Sequence, residues 1–541
     1  MFRSSPWRLA ALFTSVVLVL GGLPVLKGGF YIGKHEGDTL HMAEIVLRMA
    51  RGEWPHLDFM TPIGLLAMAP IAWFVEMGAG IGHAIFYAQI LVAMTLLPAA
   101  VWVAHSRLCG WVSAAYGVFV MILCLALVHG EAESSVSISM HYNRWAWAIA
   151  YVVIPLVMLM PKGRPRPTID GTIIGFGMAA LALIKATYFV SLAPAILIGL
   201  LARRWWRALG AAAVAGLLVA GLVTALAGPQ FWMAYMDDLR TVAVSDMRPQ
   251  PGQSFAVIAA GPAYMGGSLT LIAAVIFLRQ AGRMTEGMIL LFLTPGFFYI
   301  VFQNFGNDPQ WLPLLAVLAF VLRPEPGITN SFGWDMRQAL SLTALLAMAF
   351  GFPSAVNLAY SPVRHMAADT EKTRPLISGL AAQSDILAKA SRIYGVLETH
   401  AGDEDGEPFA AYRPLSDRKE QSKLNGEELP YCEQLSGPVA WFETVARDLE
   451  TAGYAGKRIL VADLFSSFWL FGNFEPIPAA APWYYGGLSG VENADYIVVP
   501  LCPESVGARA AMLKALTEGG YTMTEKRRTA VYILIEAKRA P

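Results

Sequence analysis

Apolar runs about as long as a bilayer is thick recur along this chain as far as residue 356 and then stop. A helix needs about 20 such residues to span the hydrocarbon core. The runs fall at 9–26, 83–104, 110–128, 145–160, 170–184, 187–202, 208–227, 255–278, 286–302, 311–322 and 338–356, which predicts eleven spans. The segment 61–77 is apolar as well, but Pro62, Pro70 and Glu76 interrupt it, so it reads as a juxtamembrane helix. Beyond Tyr360 the pattern changes to many charges without a spanning run. Strand-like runs stand at Arg458–Leu464 (RILVADL), Asp495–Leu501 (DYIVVPL) and Thr529–Ile535 (TAVYILI), with a helical pattern at 508–517 and an acidic, glycine-containing loop at 401–426. The expected fold is an α-helical polytopic membrane protein with a small C-terminal α/β domain. Its division is a membrane module at 1–357, with a first loop at 28–82, and a second domain at 358–541.

Composition agrees with this picture. The 541 residues are 56% hydrophobic and 15% charged with zero formal net charge, and the mean hydropathy is +0.49. Those values exclude a disordered chain and an ordinary water-soluble one. They give no electrostatic reason to expect nucleic acid.

Charge placement orients the spans. With the N-terminus inside, the inner ends carry Arg3, Arg8, Arg107, Lys162, Arg164, Arg166, Arg203, Arg204, Arg207, Arg279, Arg283, Arg323 and Arg337 against Asp170, Glu286, Glu325 and Asp335. The outer ends are richer in acids than in bases. This is the positive-inside pattern, and it predicts a cytoplasmic N-terminus and an extracytoplasmic C-terminal domain. Counting 61–77 as a span would invert the pattern downstream. The expected location is a bacterial cytoplasmic membrane, with the first span an uncleaved signal anchor. Cys109 and Cys124 lie in apolar segments, whereas Cys432 and Cys502 lie in the polar part and have a disulfide open to them if that part is extracytoplasmic.

The stretch from His35 to Phe59, HEGDTLHMAEIVLRMARGEWPHLDF, concentrates the candidate chemistry. Charged groups this close to a bilayer are costly unless they face water or partners, so they suggest function. From Thr39 the pattern is helical, with Met42, Ile45, Val46 and Met49 on one face and His41, Glu44, Arg48 and Arg51 on the other. Such a helix would lie on the membrane surface with its polar stripe in water. Asp38 falls where an N-cap belongs, a purely structural role. A helix N-terminus also favours an anionic ligand, so capping and ligand contact are compatible.

Glu36-Gly37-Asp38, the helix 39–51, the turn Gly52-Glu53-Trp54-Pro55-His56-Leu57-Asp58-Phe59, the apolar opening Thr61-Pro62-Ile63-Gly64-Leu65-Leu66 and Arg107 after the next span follow one another in order. Over residues 9–107 this arrangement resembles the C-type (GT-C) membrane glycosyltransferases, a group that includes protein O-mannosyltransferases and bacterial aminoarabinose transferases. The group often has adjacent acids where this chain has Glu36-Gly37-Asp38, and the spacing to Gly52 and Pro55 fits Asp38 better.

The resemblance implies transfer of a sugar from a polyprenyl-phosphate donor to an envelope glycan, lipid or protein on the extracytoplasmic face. Asp38, with Glu36, would be the catalytic acid pair. A carboxylate would take the acceptor's hydroxyl proton, and a single displacement would invert the anomeric centre. The departing lipid phosphate calls for cations near the membrane surface. Lys185 in LIKATYF and Arg144 in MHYNRW lie on the outer side by the charge map, and His141 is i, i−3 to Arg144. A snorkelling lysine and an interfacial anchor beside Trp145 and Trp147 are their plain alternatives.

His56 and Asp58 of the turn, and Asn304, Asp308 and Gln310 of QNFGNDPQW, complete the candidate binding set, with loop solvation the alternative for the last three. Asp237, Asp238 and Arg240 in YMDDLR could pair with one another or meet the acceptor. His35, His41 and His56 lack a metal-binding spacing such as H-x-x-E-H, and metal use varies within the group, so no metal or other cofactor is expected. A flippase of lipid-linked sugars would show internal repeats, which are absent from the sequence, and a non-catalytic assembly protein is the remaining class.

Overall fold

The computed structural model describes residues 5–130, 133–247, 254–304, 309–415, 418 and 421–539. Its membrane part runs α1 (Pro6–Lys27), α2 (Glu36–Ala50), α3 (Leu65–Glu76), α4 (Ile81–Arg107), α5 (Gly110–Leu125), α6 (His141–Met158), α7 (Pro167–Ile184), α8 (Ala186–Ala202), α9 (Trp206–Ala227), α10 (Gln230–Ala243), α11 (Phe255–Ala260), α12 (Pro262–Gln280), α13 (Met284–Gln303), α14 (Trp311–Val321) and α15 (Met336–Met366). All eleven apolar runs are helical. Among the described residues, seven helices (α1, α4, α7, α9, α12, α13 and α15) are long and apolar enough to cross a membrane. The helices α5, α8 and α14 are apolar but shorter, and α6 opens on the polar residues His141, Asn143 and Arg144. These features are those of a polytopic, membrane-embedded protein. The segment 61–77 forms the short helix α3, as its prolines suggest.

Every residue of α6 is buried, so this helix is the axis of the bundle. It packs on α4, α5, α7, α8 and α14. Away from the first loop, buried ion pairs tie the helix ends together. Arg107 meets Asp170 at 2.6 Å and Arg203 meets Glu286 at 3.0 Å, each charge desolvated beside an opposite one. Several of the bases that produced the inner charge bias are therefore structural as well.

At the other end, β1 (Phe30–Ile32) leaves the first loop. A hairpin of β2 (Val128–Gly130) and β3 (Glu133–Val136) precedes α6. The C-terminal part contains β4 (Thr373–Pro375), β5 (Ile386–Lys389), α16 (Ala390–Ile393), β6 (Leu397–His400) paired with β9 (Cys432–Ser436), β7 (Lys423–Leu424) paired with β8 (Glu427–Glu428), and α17 (Pro438–Thr451). It ends with β10 (Ile459–Val461), β11 (Tyr496–Pro500), α18 (Val506–Glu518), β12 (Tyr521–Arg528) and β13 (Tyr532–Arg539). Its main sheet has the order β10-β11-β13-β12, with only β10 and β11 parallel. The three strands and the helix expected from sequence are present. The strand β12 and the helix α17 were not expected, because YTMTEKRR and PVAWFETVARDLET carry many charges. Cys432 and Cys502 form a disulfide.

The change of character at 358 falls inside α15, which continues to Met366. The C-terminal unit is also joined to the first loop. Strand β1 pairs in parallel with β5, Phe30 opposite Ile386. Gln383 and Asp385 cap α4, because Gln383 Oε1 accepts from Ile81 N at 2.9 Å and the Asp385 carboxylate accepts from Gly82 N at 3.0 Å and His83 N at 2.9 Å. Those are orphan donors of a helix N-terminus, and a remote segment satisfies them.

Candidate functional site

Helix α2 begins one turn earlier than its apolar pattern suggests. Its N-cap position is His35, held at φ 66° in the left-handed region that side chains other than glycine rarely adopt. Asp38 is therefore not the N-cap. It sits inside the first turn, half-buried, and its Oδ2 accepts a hydrogen bond from Ser139 Oγ at 2.8 Å. Ser139 N donates to Ser137 Oγ at 3.0 Å, and His35 Nδ1 lies 3.0 Å from the same oxygen. Burial holds the His35 imidazole below its ordinary pKa, with the Asp38 charge opposing that shift. Ser139 thus bonds the acid directly, and Ser137 links Ser139 to the His35 ring.

Glu36 faces the other way, where Arg392 of α16 grips it with two guanidinium nitrogens, Nη2 to Oε2 at 2.7 Å and Nε to Oε1. Of the two acids, Asp38 is the one left facing the membrane module.

The polar stripe of α2 does not face water. Glu44 and Arg48 are each 1% exposed and His41 is 3% exposed, beneath the C-terminal unit. Ser467 Oγ donates to Glu44 Oε2 at 2.7 Å, and Ser466 Oγ donates to Oε1 at 3.3 Å. Arg48 pairs with Glu53 at 2.6 Å and lies 4.7 Å over the Phe59 ring, while Arg51 lies over Trp469. A stripe with this periodicity can be covered by water or by a partner surface, and here the same chain covers it.

The turn that follows is fixed locally. Gly52 has φ 91°, which favours glycine. Asp58 Oδ2 accepts from Trp54 N at 2.6 Å, closing the turn, and the Asp58 carbonyl accepts from Ala479 N at 2.8 Å. His56 Nδ1 lies 2.8 Å from Asp238 Oδ2, which also accepts from Thr61 N at 3.0 Å. The imidazole stacks on Tyr235 at 4.3 Å. Asp238, one of the acids of YMDDLR, thus fastens the first loop to α10. Gly64 N donates to Ile184 O at 3.1 Å, and a Cβ at Gly64 would lie 2.2 Å from the Leu183 carbonyl. Only glycine lets the loop come this close to the end of α7.

That contact borders Lys185, the single extended residue between α7 and α8. Its ammonium donates to Asn304 Oδ1, which also accepts from Asn143 Nδ2 at 3.2 Å. It lies 5.4 Å over the Tyr142 ring, a cation–π contact. Asn304 is buried at the end of α13. Tyr142 and Asn143 form the first turn of α6, and Ser139 precedes that turn. The start of α6 therefore holds Asp38 through Ser139 and Lys185 through Tyr142 and Asn143. The ammonium and the helix N-terminus there favour a bound anion, and the Asp38 carboxylate is held just before the same helix.

Other expected binding residues are used differently. Arg144 is fully buried, and its guanidinium donates to Val128 O at 2.6 Å and Ala126 O at 3.0 Å. His141 is buried with Nε2 at 2.9 Å from Ala67 O. Neither side chain joins the Lys185 cluster. They tie α6 to the β2 hairpin and to α3. The Gln310 carbonyl accepts from Tyr151 OH at 2.7 Å, and Asp308 lies outside the described residues. One group among the described residues brings three potential metal-ligating atoms together, Glu398, His400 and Cys432, but Cys432 is bonded to Cys502.

Sequence reading missed Ser137, Ser139 and Arg392. The serines had a signal, because ESSVSIS breaks the apolar run before α6. Arg392 had none, being one of many charges in the C-terminal part. No family model matches this chain, and no curated protein or solved structure matches it either.

Proposed function

We propose that this chain is a multi-span glycosyltransferase of a bacterial cytoplasmic membrane, moving a sugar from a polyprenyl-phosphate donor to an envelope glycan, lipid or protein on the extracytoplasmic face. The observation that carries the proposal is the start of α6, where Ser139 holds Asp38 and Tyr142, Asn143 and Asn304 surround Lys185. A carboxylate and an ammonium held by the start of one helix support this reading. The GT-C-like order of residues 9–107 and the eleven helical segments support the same reading. So does the charge bias along the sequence, which favours an extracytoplasmic α2 and C-terminal unit.

In this mechanism Asp38 takes the proton of the acceptor hydroxyl as that oxygen attacks the anomeric carbon. The bond from the anomeric carbon to the phosphate oxygen breaks, and its electron pair leaves with the lipid phosphate. Lys185 and the α6 terminus stabilise that leaving group. One displacement inverts the anomeric centre. Ser139, donating to the far oxygen of the carboxylate, keeps the other oxygen turned toward the acceptor.

The test is mass spectrometry of lipid-linked sugars and envelope glycans from cells carrying wild-type protein or Asp38→Asn. The expected result is accumulation of one polyprenyl-linked sugar and an acceptor short of that sugar, at unchanged protein level. Identical lipid and glycan profiles in the two strains would sink the proposal.

A further inference from the structure

The first turn of α2 has little of its own to hold it. Its N-cap, His35, makes no side-chain capping bond of the kind that stabilises a helix start. Its second residue is Gly37, and glycine inside a helix is less favourable than alanine. Asp38, whose side chain could have capped the turn, is turned away to Ser139. Yet this turn presents the acid.

Beside the Ser139 bond to Asp38 and the Thr39 Oγ1 bond to the His35 carbonyl, two groups from the C-terminal unit steady it. The Phe465 ring packs so closely on Gly37 that a Cβ there would lie 2.5 Å from its Cζ. Arg392 holds the Glu36 carboxylate with a two-nitrogen fork, a geometry that restricts orientation as well as distance. Glu36 is largely buried, and Glu504 is near enough for its carboxyl to be pushed up by the Glu36 charge, after burial and Asp463.

Resting on the function proposed above, we infer that Arg392 is a positioning residue for the catalytic acid. It fixes Glu36, and through one turn of backbone it fixes the direction of Asp38. Arg392 touches neither donor nor acceptor in this scheme. Glu36 is then the handle by which the C-terminal unit holds the acid, not a second base.

The experiment uses full-length protein in nanodiscs and a polyprenyl-phosphate-sugar extract of the host membranes as donor. Release of polyprenyl phosphate is followed against extract concentration. Misplacing a catalytic group by about an ångström costs up to roughly a hundredfold. Arg392→Ala should therefore lower turnover at saturation at least about tenfold, while the half-saturating extract concentration stays within about threefold. Arg392→Lys should recover part of the rate, and Glu36→Gln combined with Arg392→Ala should be no worse than Arg392→Ala alone, because both act through one contact. Amide exchange at residues 36–40 should quicken in Arg392→Ala.

Asp38→Asn run in parallel separates the two levels of the argument. If Asp38→Asn is inactive and Arg392→Ala turns over like wild type, the positioning role is wrong and the parent reading stands. Additive losses in the double variant overturn the positioning role in the same way. If Asp38→Asn keeps full turnover, both fall.

Discussion

Ser467 and Glu44 meet 423 positions apart in the chain, with Ser467 Oγ donating to Glu44 Oε2 at 2.7 Å. Burial pushes the Glu44 carboxyl above its ordinary pKa, and Arg48 and the two serines pull it back. Removing a donor from a buried acceptor costs about 1–3 kcal/mol. Ser467→Ala should therefore lower the thermal midpoint of the whole protein, as followed by tryptophan fluorescence in detergent. A midpoint unchanged from wild type would mean that the seam over α2 is not held by this contact.

The same seam should respond to pH. Glu504 is raised from an ordinary value of 4.5 to about 8 by burial first, then by the charges of Asp463 and Glu36. A carboxyl raised in the folded state binds more protons folded than unfolded, so stability falls as pH rises. The loss begins above about 4.5 and is complete above about 8. Thermal midpoints measured from pH 5 to 8.5 should decline in wild type and decline less in Glu504→Gln. Parallel curves for the two proteins would remove Glu504 from the account.

Gly37 separates Glu36 from Asp38, and Phe465 supplies a reason for a glycine there. A methyl at that position would meet the ring at 2.5 Å, and the ring is wedged edge-on against Trp483 with centroids 4.9 Å apart. Overpacking of this kind costs about 1–3 kcal/mol, more than the helix propensity that alanine would add. Gly37→Ala should be destabilised in thermal unfolding, and Phe465→Leu in the same protein should restore part of the loss. Full stability of Gly37→Ala alone would show that nothing tight faces residue 37.

Lys185 offers a prediction on binding. Lys185→Met keeps much of the apolar stem and removes the charge opposite Asn304. If the ammonium meets the lipid phosphate, the half-saturating concentration of polyprenyl-phosphate donor should rise about tenfold or more, consistent with loss of a charged hydrogen bond worth about 1.5–3 kcal/mol. Binding of decaprenyl phosphate to full-length protein, measured by native mass spectrometry, reads this without turnover. Equal occupancy in both proteins argues that the phosphate binds elsewhere.

The apolar helices were legible because an apolar run of bilayer length has few other uses, and the strands β10, β11 and β13 were legible from their β-branched runs. The turn after α2 was also legible, since Gly52 and Asp58 act through local backbone bonds. What escaped was anything set by a distant surface. Nothing within α2 distinguishes a polar stripe meant for water from one meant for Ser466, Ser467 and Trp469. Arg144 looked like an available cation because it opens a span. Its donors go instead to the carbonyls of Ala126 and Val128, which the end of α5 and the bend into β2 leave without helical partners, and no local pattern announces that.

The cap on α4 sets an order in time. Ile81 N waits for Gln383, 302 residues later, and Gly82 and His83 wait for Asp385. At about 5–20 residues per second of synthesis, that interval is roughly 15–60 s. Through that time the bundle would already be inserted while α4 lacks its cap and α2 lacks its cover. Glu36 would meet Arg392, and Gly37 the Phe465 ring, only after the last third of the chain had been made and had folded back. A chain cut short before Gln383 would then hold the helices of the bundle without the cap on α4 or the cover over α2, so completion of the chain sets when this face becomes ordered.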